Sequence, residues 1–476
     1  MVTHASVLDI TTWFVYVLAA VLFVMGLHYM NSPKTARKGN VVSAVGMLLA
    51  VLMAFVHMAF TGVESAVAVV VLILGIAVGA VAGVWSALKV KMTDMPQLVS
   101  IFNTVGGGAA ALVALNDILT APVSELSVVL LITAGLGVII GAVTFTGSLI
   151  AAGKLQGVVP GGPVALPAQN SINAVLLLAT FAGFIALCVQ PEQRVLWSVV
   201  TVLLACIYGV LFVLPIGGAD MPVVISVLNA CTGTAVAMSG LAIDNVALIV
   251  AGALVGSAGV TLSILMAKAM NRPLMSVLLG GFGGGDAAAS SGDGESGGTM
   301  RETTADDVAV QLVYADKVVF VPGFGLAQAQ AQRELADLGS MLEERGIDVS
   351  YAIHPVAGRM PGHMNVLLAE ANVPYEQLVD LDDINPQFPS TSVSLVVGAN
   401  DVTNPAARRP GTAVSGMPIL DVDKSASTVV IKRGRGKGYA GIENELYFDP
   451  HTQMLFGDAK AQLQAIIAAV KELVAE

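Results

Sequence analysis

The segment that decides the fold is Val318-Val319-Phe320-Val321-Pro322-Gly323-Phe324-Gly325-Leu326-Ala327-Gln328-Ala329-Gln330. It runs from a buried β-branched stretch through a Gly-x-Gly turn into residues with helical spacing, which is how a dinucleotide-binding α/β fold begins. Gly323 and Gly325 would let the backbone approach a pyrophosphate, and Ala327 is a third candidate cofactor-binding residue beside them. An ordinary tight strand-to-helix turn is the alternative, because the third fingerprint position holds Gln328 instead of Gly or Ala.

The same alternation of β-branched runs and helical stretches continues to the end of the chain. This order predicts a Rossmann-like α/β domain with a parallel sheet covered on both faces. Strands are predicted at 317–321, 348–353, 377–381, 393–397, 418–422 and 428–432, and helices at 303–314, 327–345, 363–372 and 457–474.

Charge placement in this domain indicates which nucleotide it would take. His354 follows the second predicted strand, where an acidic residue would bind the ribose of NAD(H). Lys432 and Arg433 close a later strand and lead into the basic, glycine-rich segment 434–439. The missing acid and the clustered cations favour NADP(H), because its 2′-phosphate carries about two extra negative charges. A solvated basic loop is the alternative interpretation.

A further segment, Gly398-Ala399-Asn400-Asp401-Val402-Thr403-Asn404-Pro405, follows the strand predicted at 393–397. Ligands of open α/β sheets lie beyond the carboxyl ends of the strands, so Asp401 is placed to contact a nucleotide or to titrate beside it. The sequence shows neither a Ser/His/Asp constellation nor a metal-ligand cluster, so no metal site is predicted. The domain is interpreted as one that presents a cofactor without its own general acid and base.

Residues 1–272 have a different composition from the rest of the chain. The whole sequence has a mean hydropathy of +0.79 and 12% charged residues, against about 25% in ordinary soluble domains. The net charge of −11 argues against a nucleic-acid partner. Nine apolar stretches of membrane-spanning length predict a polytopic helical bundle. They lie at 11–30, 41–60, 65–86, 98–116, 126–150, 171–189, 195–215, 221–242 and 245–267.

The charges between these stretches predict the orientation of the bundle. One set of loops is basic and the other is acidic with a single arginine, and positively charged loops stay in the cytoplasm. The N-terminus is therefore expected outside and the C-terminal domain in the cytoplasm. The basic set is Lys34, Arg37, Lys38, Lys89, Lys91, Lys154, Lys268 and Arg272, and the opposite set is Glu64, Asp117, Glu125, Glu192, Arg194 and Asp244.

Polar residues inside the bundle are functional candidates because burying them without partners is costly. Asn103 and Asn229 lie in the middle of predicted helices, where they either form interhelical packing bonds or line a polar path. Asp220 lies at the cytoplasmic rim, and His28 and His57 lie near helix ends, as interfacial residues do. A Gly/Ser/Asp-rich linker at 273–302 separates a membrane domain, 1–272, from a soluble domain, 303–476.

With these motifs in view, the whole chain resembles the β subunit of proton-translocating NAD(P)+ transhydrogenase. The matching segments follow one another in the same order as in that family. They are 91–96, 141–148, 217–224, 267–272, 354–368, 398–406, 438–441 and 454–460.

The resemblance implies an activity and a set of partners. Inward proton movement through the bundle would drive hydride transfer from NADH on an α subunit to NADP+ on this chain, in an α2β2-type assembly in the bacterial inner membrane. It places Gly323, Gly325 and Arg359 at the pyrophosphate, Lys432 and Arg433 at the 2′-phosphate, and Asp401 near the nicotinamide. Gly438 and Tyr439 would lie in a loop closing over the nucleotide, Gly398 and Asn400 beside Asp401, and Asp220 at the membrane–soluble interface.

The chain departs from the family at three positions. Asn103 stands where some members have a histidine proposed to carry the proton, and an amide cannot do so at neutral pH. Gln328 replaces a small residue, and Gly434 replaces a hydroxyl residue beside the basic pair, with Arg435 as a possible compensation. The main alternative is a channel or transporter gated by an NADP(H)-sensing domain. A membrane oxidoreductase passing electrons to quinone is a further one, but the bundle lacks paired His or Cys ligands.

Overall fold

The computed structural model describes residues 7–61, 66–160, 164, 166–217, 220–270, 273–278, 299–358, 362–410, 412, 414–436 and 442–475. The chain divides into two compact units. The first comprises Met1–Val90, Gln97–Gly218 and Val223–Ser263, and the second comprises Lys91–Pro96, Ala219–Pro222 and Ile264–Glu476.

The described part of the first ~270 residues contains nine helices long and apolar enough to cross a membrane, as predicted. Their lengths of 20 to 29 residues suit the hydrocarbon thickness. They are α1 (Val7–Tyr29), α2 (Pro33–Thr61), α3 (Ala66–Lys89), α4 (Met95–Thr120), α5 (Val128–Gln156), α6 (Gln169–Val189), α7 (Arg194–Val213), α8 (Met221–Ala242) and α9 (Val246–Ala269).

Glycines bring neighbouring membrane helices into backbone contact. A Cβ added at Gly141 on α5 would lie 2.5 Å from the carbonyl oxygen of Gly107 on α4. A Cβ added at Gly233 on α8 would lie 2.4 Å from the backbone nitrogen of Gly256 on α9. Such approaches are possible only without side chains, so these glycines serve the close packing expected of membrane bundles.

The structure corrects the placement of Lys154, which the sequence assigned to a cytoplasmic loop. Lys154 lies in the last turn of α5 and only 4% of it is exposed. Its Nζ donates hydrogen bonds to the carbonyl oxygens of Leu214, at 2.5 Å, and Ile216, at 2.8 Å. Because these carbonyls follow the last turn of α7, Lys154 ties the ends of α5 and α7 together and is not a free loop charge.

The second unit contains a short helix, α10 (Leu274–Leu278), and an α/β domain. Residues 279–298, which hold most of the predicted linker, lie outside the described part of the chain. The elements of the domain are α11 (Ala305–Val313), β1 (Lys317–Pro322), α12 (Phe324–Ala329), α13 (Gln332–Glu343), β2 (Asp348–Ile353), α14 (His363–Glu370), β3 (Leu378–Asp380), α15 (Leu381–Ile384), β4 (Val393–Val397), β5 (Ser427–Lys432), β6 (Thr452–Phe456) and α16 (Ala459–Ala475).

The six strands form one parallel sheet in the order β3-β2-β1-β4-β5-β6. This is the doubly wound order, in which the chain reverses direction across the sheet between β1 and β4. Both faces are buried, as the period of two along β1 shows: Val318 and Phe320 join one hydrophobic cluster, and Val319 and Val321 join the other. The predicted α/β class with both faces covered is therefore confirmed.

Three sequence assignments differ from the structure. The predicted strand at 418–422 is irregular, since β4 and β5 pair directly and leave it no place in the sheet. Leu420 and Val422 are nevertheless buried, which explains their strand-like pattern. The sixth strand is instead β6, which was not predicted. The single helix predicted at 327–345 is divided, because Gln330 takes a left-handed conformation (φ 52°) between α12 and α13.

Candidate functional site

A cavity of about 280 Å³ opens at the carboxyl edge of the sheet. The residues that line it are the last two residues of β5 and residues that follow β1, β4, β5 and β6, so the cavity lies where the chain reverses direction across the sheet. No Asp or Glu is among these lining residues in the described part of the domain. They are Gly325, Gly398, Ala399, Asn400, Ile431, Lys432, Arg433, Gly434, Gly436, Gly457 and Ala459.

Two glycine turns interlock beneath this cavity. The Gly323 N–H donates to Val397 O and the Gly325 N–H donates to Gly398 O, both at 2.9 Å. Gly398 has a φ of 68°, and a Cβ built on it would lie 2.4 Å from the Gly325 Cα. The glycines therefore allow the turn after β1 to touch the turn after β4, backbone against backbone. These glycines form the tight turn that was the alternative interpretation of the motif. Gly325 and Gly398 also line the cavity, so the turn leaves them available to a cofactor.

Ala327 is placed differently from the other predicted cofactor residues. It is fully buried in the hydrophobic core next to the sheet and is not among the cavity-lining residues. Its small side chain suits the close packing of α12 on the sheet, and the third fingerprint position is the next residue, Gln328.

Asn400, predicted as a cofactor residue, lines the cavity and is held by a buried network. Tyr447 Oη donates to Asn400 Oδ1 at 2.9 Å, and Asn444 Nδ2 donates to the Asn400 carbonyl at 2.9 Å. Burial raises the pKa of Tyr447, so its hydroxyl remains a proton donor at physiological pH. The sequence analysis missed Tyr447 and Asn444. The available sequence signal was Asn444 itself, because an asparagine is a common capping residue and Asn444 accepts from the Leu446 N–H at the start of the turn that carries Tyr447.

Asp401 and Lys432 lie close enough for their charges to interact. Burial lowers the pKa of Lys432, while the negative charges of Asp401 and Glu443 act in the opposite direction. Lys432 Nζ lies 4.8 Å from the centre of the Tyr447 ring and also donates to the Gly436 carbonyl. Asp401 acts on Tyr447 as well, raising its pKa after the larger effect of burial. The structure thus brings the segment of Asn400 and Asp401, which follows β4, close to Lys432 at the end of β5.

Arg433 also lines the cavity, and its partner is Gln328. Arg433 Nη2 donates to Gln328 Oε1 across the gap between β5 and α12. Arg435 forms an ion pair with Glu302 at 2.9 Å and is not among the cavity-lining residues. The two predicted phosphate-binding cations, Lys432 and Arg433, are therefore the described cations at the cavity.

His354 has a structural setting away from the cavity lining. It is 2% exposed, its Nδ1 accepts from the Val356 N–H at 3.2 Å, and its Nε2 lies 2.7 Å from Pro418 O. Since Nδ1 accepts, Nε2 carries the proton and donates to the carbonyl. Burial lowers the pKa of His354 to about 4, so the ring is neutral. The predicted residues Arg359, Gly438 and Tyr439 lie outside the described residues.

The predicted membrane residues lie in separate settings. Asn103 is 4% exposed and its Nδ2 donates to Ile225 O on α8 at 3.3 Å, an interhelical bond. Asn229 is half-buried on α8, and Asp220 is half-buried just before that helix. Within the described residues, no group of three or more His, Cys, Asp or Glu side chains could hold a metal ion.

The fold and this cavity define a polytopic membrane protein with a Rossmann-type nucleotide domain. The family described as NAD(P) transhydrogenase beta subunit matches residues 12–469. Two curated relatives, one from Rhodospirillum rubrum and one from a named strain of that species, carry the name NAD(P) transhydrogenase subunit beta. Each is 45% identical over 462 residues, covering 96% of this chain and 98% of the relative.

The chain therefore belongs to the NAD(P) transhydrogenase beta subunit family. This membership confirms the resemblance found in the sequence and places the chain in a multi-pass membrane enzyme that uses NAD(H) and NADP(H). The family name also implies an alpha subunit as partner. It favours the transhydrogenase interpretation over the gated channel and the quinone oxidoreductase.

Proposed function

We propose that this chain is the NADP(H)-binding and proton-conducting subunit of a proton-translocating transhydrogenase. Inward proton movement through residues 1–272 is coupled to hydride transfer from NADH on the alpha subunit to NADP+ on residues 303–476. The C-terminal domain, residues 303–476, lies in the cytoplasm of a bacterium, and the N-terminus lies outside the inner membrane. Two alpha–beta pairs form the assembly. The reaction requires the alpha subunit, which supplies the NAD(H) site.

The observation that carries the assignment of NADP(H) to this chain is the charge of the cavity lining. Lys432 and Arg433 line it, and no carboxylate is among its described lining residues. A carboxylate would bind a ribose 2′-hydroxyl and repel a 2′-phosphate, whereas an arginine suits the phosphate. The interlocked turns at Gly325 and Gly398 fit a dinucleotide too, because both glycines line the cavity and their lack of side chains lets the two turns pack against each other at its floor.

Each polar residue of the cavity has a part in this proposal. Lys432 and Arg433 hold the 2′-phosphate, and Asn400 orients the nicotinamide end through its bond from Tyr447. Gly325, which lines the cavity, and Gly323, two residues before it, lie at the pyrophosphate. When bound, the nicotinamide ring supplies the carbon that accepts the hydride. Arg359 and the loop of Gly438 and Tyr439 complete the nucleotide contacts by the family resemblance.

Coupling requires two states of the domain with different proton affinities. Asp401 is our main candidate, because its charge acts on both Lys432 and Tyr447 at the cavity. Protonation of Asp401 would remove that charge and change how Lys432 meets the phosphate. Asp220 and Asn229 relay the state of the bundle, and Asn103 orders its neighbours without carrying a proton itself.

Calorimetric titration of the full-length chain in detergent with NADP+ and NAD+ tests the nucleotide assignment. We expect tight NADP+ binding, weak NAD+ binding, and loss of this preference in the double variant Lys432→Ala plus Arg433→Ala. Equal binding of both nucleotides to the unaltered chain would refute the assignment.

The coupling proposal is tested with Asp401→Asn in vesicles that contain both subunits. We expect the pH dependence of NADP+ release to disappear. An unchanged pH profile would remove Asp401 from the coupling mechanism.

A further inference from the structure

Gln328 and Arg433 form a hydrogen bond that the charge pattern alone did not suggest. Arg433 follows β5 and lines the cavity, whereas Gln328 lies on α12, the helix that follows the first glycine turn. Arg433 Nη2 donates to Gln328 Oε1. Both side chains are exposed, so neither is fixed by packing in the core. The bond is therefore what restrains the direction of the guanidinium group.

The neighbouring residues Gly434 and Arg435 do not orient the guanidinium group of Arg433 as Gln328 does. The next residue is Gly434, which has no side chain, and a Cβ built there would meet no atom within 4 Å. Arg435 is engaged with Glu302 and stacks over Phe456, its Cζ 5.7 Å from the ring centre. The described part of this loop therefore offers no second group beside Arg433 to orient it at the cavity.

We propose that Gln328 is a specificity-determining positioning residue, which holds Arg433 at the cavity so that the site prefers a 2′-phosphorylated dinucleotide. The inference rests on the proposed NADP(H) site. The guanidinium is planar and carries five N–H donors, so one bond at Nη2 fixes its plane and leaves the other donors for phosphate oxygens. Gln328 is neutral, and it orients the arginine without cancelling the positive charge that attracts the phosphate.

Calorimetric titration of the full-length chain in detergent with NADP+ and NAD+ tests this role. Gln328→Ala should weaken NADP+ binding by about threefold to tenfold, the usual effect of freeing one long side chain in a binding site. NAD+ binding should change less than about twofold, because NAD+ has no 2′-phosphate for Arg433 to contact. Gln328→Glu should weaken NADP+ binding further, since its carboxylate would pair with Arg433 and repel the phosphate.

A double-mutant cycle with Arg433→Ala separates positioning from a general structural effect. In the Arg433→Ala background, Gln328→Ala should cause no additional loss of NADP+ affinity. Gln464→Ala is the matched control, because Gln464 is another exposed glutamine with one side-chain bond, to Glu334 on α13, away from the cavity. It should leave the affinity for both nucleotides unchanged.

The outcomes distinguish this inference from the proposed function. If Arg433→Ala lowers NADP+ affinity but Gln328→Ala does not, the positioning role is overturned and the NADP(H) site stands. Equal losses for NADP+ and NAD+, or full additivity with Arg433→Ala, overturn the positioning role as well. If neither Arg433→Ala nor Lys432→Ala affects NADP+ binding, both the site and this inference fall.

Discussion

Replacing Gly323 with alanine should destabilise the nucleotide domain through a clash between two backbone turns. The added Cβ would lie 2.4 Å from the Cα and the nitrogen of Ala399 and from the Gly398 carbonyl oxygen. An ordinary contact distance begins near 3.4 Å, so the turns would have to separate by about 1 Å. Backbone atoms cannot rotate away as a side chain can, and overpacking of this kind typically costs about 1–3 kcal/mol.

Hydrogen exchange measured by mass spectrometry on the full-length chain can detect this loss locally. A destabilisation of about 2 kcal/mol should make the amides of β1 and β4 exchange roughly thirtyfold faster. Gly434→Ala is the control, because Gly434 borders the same cavity but an added Cβ would meet nothing within 4 Å. Equal exchange of β1 and β4 in the two variants would refute the argument from the interlocked turns.

Three further predictions concern other buried polar groups. Burial lowers the pKa of His354 to about 4, so protonation of the unfolded chain should reduce domain stability as pH falls from 6.5 towards 4, by up to ~3 kcal/mol. Pulse proteolysis in urea should show a flatter pH profile for His354→Asn, and an unchanged profile would contradict this. Tyr447→Phe removes the hydrogen bond to Asn400 but keeps the aromatic ring. It should weaken NADP+ binding by about 1 kcal/mol, or roughly fivefold in a calorimetric titration. Unaltered NADP+ affinity would show that Tyr447 does not support the site. Lys154→Met removes the Nζ donor from the Ile216 carbonyl and leaves the Leu214 carbonyl only its bond from the Val164 N–H, so it should destabilise the bundle by about 1–3 kcal/mol. A thermal aggregation assay should show a lower transition temperature for Lys154→Met than for Lys154→Arg, and equal melting of both would refute the tie.

The sequence predicted most of the nucleotide domain because its local signals and its tertiary environment agree. The segment 318–330 carries both a strand period and a glycine turn, and each has one structural solution in a parallel sheet. The nine membrane helices were predictable for a similar reason, since length and apolar composition alone decide whether a helix can span a bilayer.

The errors arose where burial did not imply pairing. Residues 418–422 have the alternation of a strand because Leu420 and Val422 pack into the core, yet hydrogen bonding between β4 and β5 leaves them outside the sheet. Strand pairing depends on contacts far along the chain, so a short window could not separate this segment from β6. The division of α12 from α13 at Gln330 was equally hidden, because a left-handed glutamine has no strong local signal.

The candidate site was predictable in its charges but not in its supporting contacts. Lys432, Arg433 and Asp401 could be recognised from their positions after strands, since that edge of a sheet binds ligands. The bonds from Tyr447 to Asn400 and from Arg433 to Gln328 join segments that are distant in sequence. Such partners become visible only when the topology has brought β1, β4 and β5 side by side.

The order in which the cavity is assembled has a consequence for biosynthesis. Gly457 and Ala459 complete its lining; Gly457 follows β6, and Ala459 is the first residue of α16. A ribosome making this chain releases the nine apolar helices found among the described residues long before these two residues. If the cavity binds NADP(H) as proposed, the apolar helices can insert into the bilayer before this site is complete, so nucleotide bound there does not assist their insertion. Under the proposed function, the nucleotide binds only after β6 has been translated and has paired with β5.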